Sequence, residues 1–114
     1  KTPELRLGLR GSGDARIRGL QTERLSASLA GSGDLEADGQ ATRVSVSMAG
    51  SGGARLRGLA SRQVEVSIAG SGDAEVQADE SLSVQIAGSG DVRYVGPARV
   101  SQSVVGSGRV SPLR

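Results

Sequence analysis

Apolar and polar residues alternate along most of the chain, in short runs on either side of a recurring Gly-Ser-Gly tripeptide. We number each repeat from the first glycine of its tripeptide. The residues two, four and six places before it, and four and six places after it, are aliphatic in all but three of thirty cases. The exceptions are Gln102, Tyr94 and Pro112. A period of two is typical of strands with one buried face, whereas a helix spaces its apolar residues by three and four. The pattern predicts two strands per repeat.

The spacing of the tripeptides predicts the fold class. Successive tripeptides lie 18 to 20 residues apart, which is the length of one β-helix coil. Each coil would pair with the next as a parallel neighbour about 4.8 Å away, and parallel crossovers favour right-handed winding. The sequence therefore predicts an all-β protein: a right-handed parallel β-helix, or β-solenoid, of about six coils, forming a single domain over residues 1–114.

The tripeptides are predicted to form the tight corners of the coils, because glycine readily adopts the positive φ that such corners require. The first glycines of the six corners are Gly11, Gly31, Gly50, Gly70, Gly88 and Gly106. A second glycine follows eight residues later in four coils, and the distance from there to the next strand varies. The length variation is therefore predicted to lie at one corner that faces solvent.

The outward positions form three columns when the repeats are stacked. Five residues after each corner glycine the charges alternate along the stack, which predicts a ladder of opposite charges that fixes the register, with ligand binding by the arginines as the alternative. This column contains Arg16, Glu36, Arg55, Glu75 and Arg93.

The second column consists of the residue after each tripeptide. It is an aspartate in four coils, and Gly53 and Arg109 interrupt it. Calcium-binding nonapeptide repeats place their aspartates about nine residues apart, and Ca²⁺ takes about six to eight oxygen ligands. We therefore expect no cofactor or metal and expect each carboxylate to cap its own turn, with structural calcium as the alternative. The aspartates are Asp14, Asp34, Asp73 and Asp91.

The third group comprises the outward positions of the first strand, which are mostly serine. They predict a flat, weakly polar sheet face, either simply solvated or acting as a docking surface for a glycan or another sheet. This candidate binding face contains Ser26, Ser28, Ser45, Ser47, Ser67, Ser83, Ser101 and Ser103.

Composition excludes several classes of function. Cysteine and histidine are absent, which excludes disulfides, thiolate or imidazole metal sites and His-dependent triads. With a net charge of +2, no run of basic residues and a single aromatic residue, we expect no nucleic-acid partner. No apolar stretch approaches the roughly 20 residues needed to span a bilayer. The short connections leave little room for a catalytic groove, so no catalytic residue is predicted.

The two ends of the repeat differ from its middle. The last coil carries Gln102 at an inward position, together with Arg109 and Pro112, and these changes indicate a weakly capped edge. The first coil has no evident cap. An exposed solenoid end invites another coil, either from the same chain or from a second molecule.

Residues 68–73 and 86–91 both read Ile-Ala-Gly-Ser-Gly-Asp. This repeated motif resembles the head GIN domain family, a group of bacterial envelope proteins described as auto-transporter adhesin heads, and the resemblance covers nearly the whole chain. It implies a right-handed parallel β-helix, export, and a lipoprotein or membrane-linked context, and it implies no catalytic residue. Gly53 and Arg109 depart from the motif at its aspartate.

Together these features predict a non-catalytic bacterial domain that is periplasmic, outer-membrane-associated or extracellular. It would act by adhesion or binding through its flat faces, with a glycan or an envelope protein as partner. One alternative is a structural module that forms homo-oligomers through its ends or faces. The other is a carbohydrate-active enzyme reduced to a minimal helix, for which Glu36 and Glu75 would be the carboxylates to test.

Overall fold

The computed structural model describes residues 2–96 and 99–112, and their fold is all-β. Eight strands form one sheet in which every pairing between neighbours is parallel. The strands are β1 (Thr2–Gly11), β2 (Ala15–Gly31), β3 (Asp34–Gly50), β4 (Gly53–Gly70), β5 (Asp73–Gly88), β6 (Asp91–Val95), β7 (Arg99–Val105) and β8 (Arg109–Pro112).

The strand register confirms the stacking predicted from the alternation. Leu29 pairs with Leu9 on one side and Met48 on the other, and the same row continues through Ile68 and Ile86. The inward rows that begin at Leu5, Leu7 and Ala15 stack in the same way. The fold is therefore a parallel β-solenoid, as the sequence predicted, while its right-handed sense stays a prediction.

The solenoid has about five turns rather than the predicted six. The six Gly-Ser-Gly corners enclose five full circuits, and the segments before Gly11 and after Gly106 are partial coils. The prediction assigned one coil to each of the six corners, so it counted the two partial coils at the ends as a sixth turn.

The coils formed by β2 to β5 contain a third pairing segment that the sequence did not predict. The register shifts between Ile17 and Leu20 and at the equivalent places in the next two pairings, and a further row of paired residues follows the shift. This row contains Thr22, Ala41, Ser61 and Ala78, all of them buried. The predicted solvent-facing corner is thus partly a third inner wall.

The two hydroxyls in this row are buried because each has a partner within its own segment. Thr22 is 8% exposed and its Oγ1 donates to the Arg24 carbonyl at 3.0 Å. Ser61 is 3% exposed and its Oγ donates to the Leu59 carbonyl at 3.2 Å. A buried hydroxyl with a hydrogen-bond partner avoids most of its desolvation cost, so polar residues are tolerated on this wall.

Burial of the inward rows depends on their position along the stack. In the middle coils, inward residues such as Leu56, Val66 and Ile68 are 1% exposed. Inward residues of the first and last coils, which are covered on one side, are only partly buried. Gln102 keeps its predicted place in the Leu7 row but its side chain is exposed. The core is therefore a narrow aliphatic channel that is fully packed only between coils.

Candidate binding surfaces

The predicted serines lie in two outward rows on the wall formed by β1, the C-terminal parts of β2 to β5, and β7. Ser26 stacks on Ser45, and Ser28 stacks on Ser47, which stacks on Ser67. Glu65 and Gln85 interrupt the rows before Ser83, Ser101 and Ser103 continue them. All of these serines are exposed except Ser26, which is half-buried. We call this surface the serine face.

A shallow depression of about 480 Å³ opens on the serine face. A neighbouring row containing Arg24, Arg43 and Gln63 adds guanidinium and amide groups to the serine hydroxyls in its lining, and Glu65 in the serine row adds a carboxylate. These groups donate and accept hydrogen bonds in several directions. The face is therefore suited to hydrogen-bonding a polar ligand over several coils.

The alternating charges form a second outward surface, and their register is the predicted one. Arg16 pairs with Glu36, and the column continues through Arg55, Glu75 and Arg93. The Arg16 Nε and Glu36 Oε2 atoms are 3.9 Å apart, and the two side chains are 70% and 41% exposed. Such exposed pairs contribute about 0–1 kcal/mol each. That the ladder fixes the register, with ligand binding by the arginines as the alternative, stays a prediction.

The aspartate column makes hydrogen bonds that differ from the predicted ones. The Asp34 N–H donates to the Asp14 Oδ1 at 3.1 Å, and the Gly53 N–H donates to the Asp34 Oδ1 at 3.0 Å. The Asp91 N–H donates to the Asp73 Oδ1 at 3.3 Å. The prediction that each carboxylate caps its own turn is wrong, because parallel stacking places the equivalent N–H of the next coil within reach. Asp14, Asp34 and Asp73 therefore link neighbouring coils.

Gly53 leaves a gap in this column. The Asp73 N–H has no carboxylate to reach there and donates to the Gly52 carbonyl at 3.3 Å. A depression of about 360 Å³ opens at the gap, with Asp34, Arg55 and Asp73 in its lining. Across the part of the chain that the structure describes, no three carboxylates, imidazoles or thiolates are placed to share a metal ion. The expectation that the chain holds no metal, and the alternative of structural calcium at the aspartate column, both stay predictions.

We expect Asp34→Ala to lower the free energy of unfolding by about 1 kcal/mol, because the Gly53 N–H loses its acceptor and only water can replace it. Asp34→Asn keeps a side-chain oxygen and should retain most of the stability. Asp79→Ala is the matched control, since Asp79 is exposed and its carboxylate makes no such bond to the described residues. Urea denaturation checks this, and an equal loss in the Asp79 variant would show that the coil-to-coil bond is unimportant.

The fold and these surfaces define a class: a parallel β-solenoid whose interior is filled by its own side chains and whose candidate binding surfaces lie on its outer walls. The chain belongs to the family described as "Putative auto-transporter adhesin, head GIN domain", whose model matches residues 1–98. The resemblance seen in the Ile-Ala-Gly-Ser-Gly-Asp repeats is thereby confirmed.

Solved structures of proteins from two Parabacteroides species share this fold. A "putative adhesin" from Parabacteroides distasonis is 31% identical, with a TM-score of 0.94, and the match covers 99% of this chain and 49% of that one. A "putative adhesin" from Parabacteroides merdae is 28% identical, with a TM-score of 0.88, and the match covers 100% and 49%. A "putative lipid binding protein" from P. distasonis is 29% identical, with a TM-score of 0.86, and the match covers 99% and 56%.

The chain therefore spans about half the length of these solved structures. Among curated proteins, no sequence match was found. Within the described residues, no helix has the length and apolar character required to cross a bilayer.

Proposed function

We propose that this chain is a non-catalytic binding domain of the bacterial cell envelope or of a secreted protein, and that it acts by adhesion through the serine face. The family and two of the structural relatives support adhesin-like binding. The observation that carries the proposal is the pair of exposed serine rows, bordered by Arg24 and Arg43, that extends over successive coils.

The geometry of this face favours a repetitive, hydroxyl-rich partner such as a glycan. Hydroxyls repeat about every 4.8 Å from coil to coil and about every 6.6–6.8 Å along a strand, because alternate residues of a strand share a face. The single aromatic residue, Tyr94, lies in an inward row and is not available to stack on a sugar ring from this face. Affinity would therefore come from many weak hydrogen bonds acting together along a polymer.

The carboxylates that a carbohydrate-active enzyme would need lie elsewhere. Glu36 and Glu75 stand on the outer charge ladder with Arg55 between them. Glu75 lines the depression at the Gly53 gap and Glu36 does not, whereas glycosidases hold the bond to be cleaved between two carboxylates in one groove. This arrangement supports a role in holding a partner rather than in cleaving it.

The test is a glycan array probed with the wild-type chain and with two double variants. Ser47→Arg/Ser67→Arg places two long side chains on stacked positions of the serine face. Gln21→Arg/Gln40→Arg makes the same kind of change at two stacked, exposed positions on the third wall. We expect the serine-face variant to lose the array signal and the control to keep it, with circular dichroism showing both folded.

Two results would contradict the proposal. A folded wild-type chain that binds no glycan on a broad array removes the glycan as the ligand class. Equal loss of binding in the two double variants places the contact somewhere other than the serine face.

A further inference from the structure

Two arginines of the wall that carries the serine face occupy directly stacked positions. Arg24 pairs with Arg43 in the row that borders the serines, and both side chains are exposed. Like charges at directly opposed positions destabilise a sheet, whereas the charge ladder alternates its signs from coil to coil. The stacked arginines are therefore unfavourable for the folded chain taken alone.

Neither guanidinium group forms an ion pair with a carboxylate of the described residues. Glu4 stacks on Arg24, but it pairs with Arg6, and the Arg6 Nε and Glu4 Oε2 atoms are 3.5 Å apart. Glu65 lies one coil on and one row across from Arg43. The N–H donors of both stacked guanidinium groups are thus available to a ligand.

The arginines of the charge ladder have different surroundings. Arg55 lies between Glu36 and Glu75 along the stack, and the depression beside it is lined by Glu75 and three aspartates. Among the described residues that line the depression on the serine face, Glu65 is the one carboxylate, and both stacked arginines lie beside it. An anionic group is therefore better accommodated on the serine face than at the ladder.

Hydroxyl groups lie next to the stacked arginines on the same wall. Ser26 follows Arg24 by two residues, and Ser45 follows Arg43 in the same way, so each serine lies about 6.6–6.8 Å along the strand from its arginine. The two arginine positions repeat at about 4.8 Å from coil to coil. Guanidinium groups bind oxyanions such as carboxylates through paired N–H···O bonds. A ligand that matches this region supplies both negative charges and hydroxyl groups.

We propose that the ligand of the serine face is an acidic polysaccharide, whose sugars carry carboxylate or sulfate groups. Arg24 and Arg43 bind these groups, and the serines bind sugar hydroxyls. Glu65 repels anionic groups on the following coil, so the charged contact is centred on β2 and β3. This inference rests on the proposed function, because it names the class of glycan that the same surface takes.

An anionic membrane surface is the alternative source of negative charge. Among the described residues, Val105 is the one large apolar side chain that is exposed, so the wall offers little to insert between lipids. The charges and hydroxyls together therefore favour the acidic polysaccharide.

The experiment measures the affinity of the wild-type chain for two pairs of polymers. Polygalacturonate is compared with its methyl ester, and dextran sulfate with dextran, so that charge is the main difference within each pair. We expect at least one acidic polymer to bind about tenfold more tightly than its neutral counterpart, since two exposed ion pairs contribute roughly that factor. The pair that shows the difference identifies carboxylate or sulfate as the group bound.

Three double variants assign the effect to residues. Arg24→Gln/Arg43→Gln should lose the preference for the acidic polymer, and its free energy of unfolding should be unchanged or higher because the like charges are gone. Arg16→Gln/Arg55→Gln removes the same charge from the ladder and should keep the preference. Ser47→Val/Ser67→Val changes no charge and tests the proposed function itself. It should weaken binding to the acidic and the neutral polymer alike.

Equal affinity of the wild-type chain for acidic and neutral polymers overturns this inference and leaves the proposed function intact. A preference that persists in Arg24→Gln/Arg43→Gln, or that is lost equally in Arg16→Gln/Arg55→Gln, also overturns it. Binding to phosphatidylglycerol vesicles with none to either acidic polymer overturns it as well, and assigns the arginines to a membrane surface. A chain that binds neither acidic polymer but binds neutral glycans on the array contradicts the inference alone, and one that binds no glycan at all contradicts the proposed function too.

Discussion

Gly52→Ala is expected to lower the free energy of unfolding by about 3 kcal/mol or more, while the same change at the next residue, Gly53→Ala, should leave stability unchanged or raise it. At Gly52 the new Cβ would lie 2.1 Å from the Gly33 carbonyl oxygen, which belongs to the backbone and cannot move aside. Forcing extra atoms into a packed interior typically costs about 1–3 kcal/mol, and a backbone contact is at the upper end of that range.

At Gly53 the same atom would lie 3.4 Å from the Asp34 Oδ1, an ordinary contact, and Gly53 is not among the positive-φ glycines. Replacing glycine by alanine at such a position removes freedom from the unfolded chain and stabilises by about 0.4–1 kcal/mol. Urea denaturation of both variants checks the prediction. Gly13→Ala is a second control, because Gly13 is the last glycine of its tripeptide, as Gly52 is of its own. Equal destabilisation at Gly52 and Gly13 would show that stacking is not what requires the glycine.

Leu82→Ala is expected to cost about 2–5 kcal/mol, the usual range for removing a buried leucine side chain from a core that cannot collapse around the cavity. Leu82 is 1% exposed and is stacked between Val64 and Val100 in the first inward row. The solenoid backbone is held by hydrogen bonds on both sides, so it has little freedom to close the cavity.

Leu5→Ala provides the matched control, because Leu5 belongs to the same row but is covered on one side only. The loss in stability should be clearly smaller for Leu5→Ala than for Leu82→Ala when both are measured by urea denaturation. Similar losses at the two positions would contradict a core that is packed only between coils.

Much of the serine face could be predicted from the sequence. Ser45, Ser47 and Ser67 alternate with aliphatic residues, so their outward direction follows from the period of a strand. Their stacking follows from the repeat spacing. The depression beside them could not be predicted, because its shape depends on how the longer side chains of Arg43 and Glu65 lie across neighbouring coils.

The aspartate column shows a different limit. The sequence places Asp14, Asp34 and Asp73 after their corners, but it does not show which N–H each carboxylate reaches. The partner in the structure lies 18 to 20 residues away in the chain and belongs to the next coil. The turn-capping interpretation assumed that the N–H groups closest in sequence would also be closest in space. In the solenoid, the N–H group of the equivalent residue in the next coil lies within hydrogen-bonding distance of the carboxylate.

By itself, the sequence determined the strands, the inward rows and the stacking register, because a two-residue alternation repeated every 18 to 20 residues has one arrangement that buries every aliphatic row. Only the tertiary structure decided that Thr22 and Ser61 form a third inner wall, since their burial depends on carbonyl partners within reach. It also decided which glycines are required. Gly13 and Gly52 occupy the same place in their tripeptides, and they differ only in whether another coil lies beneath them.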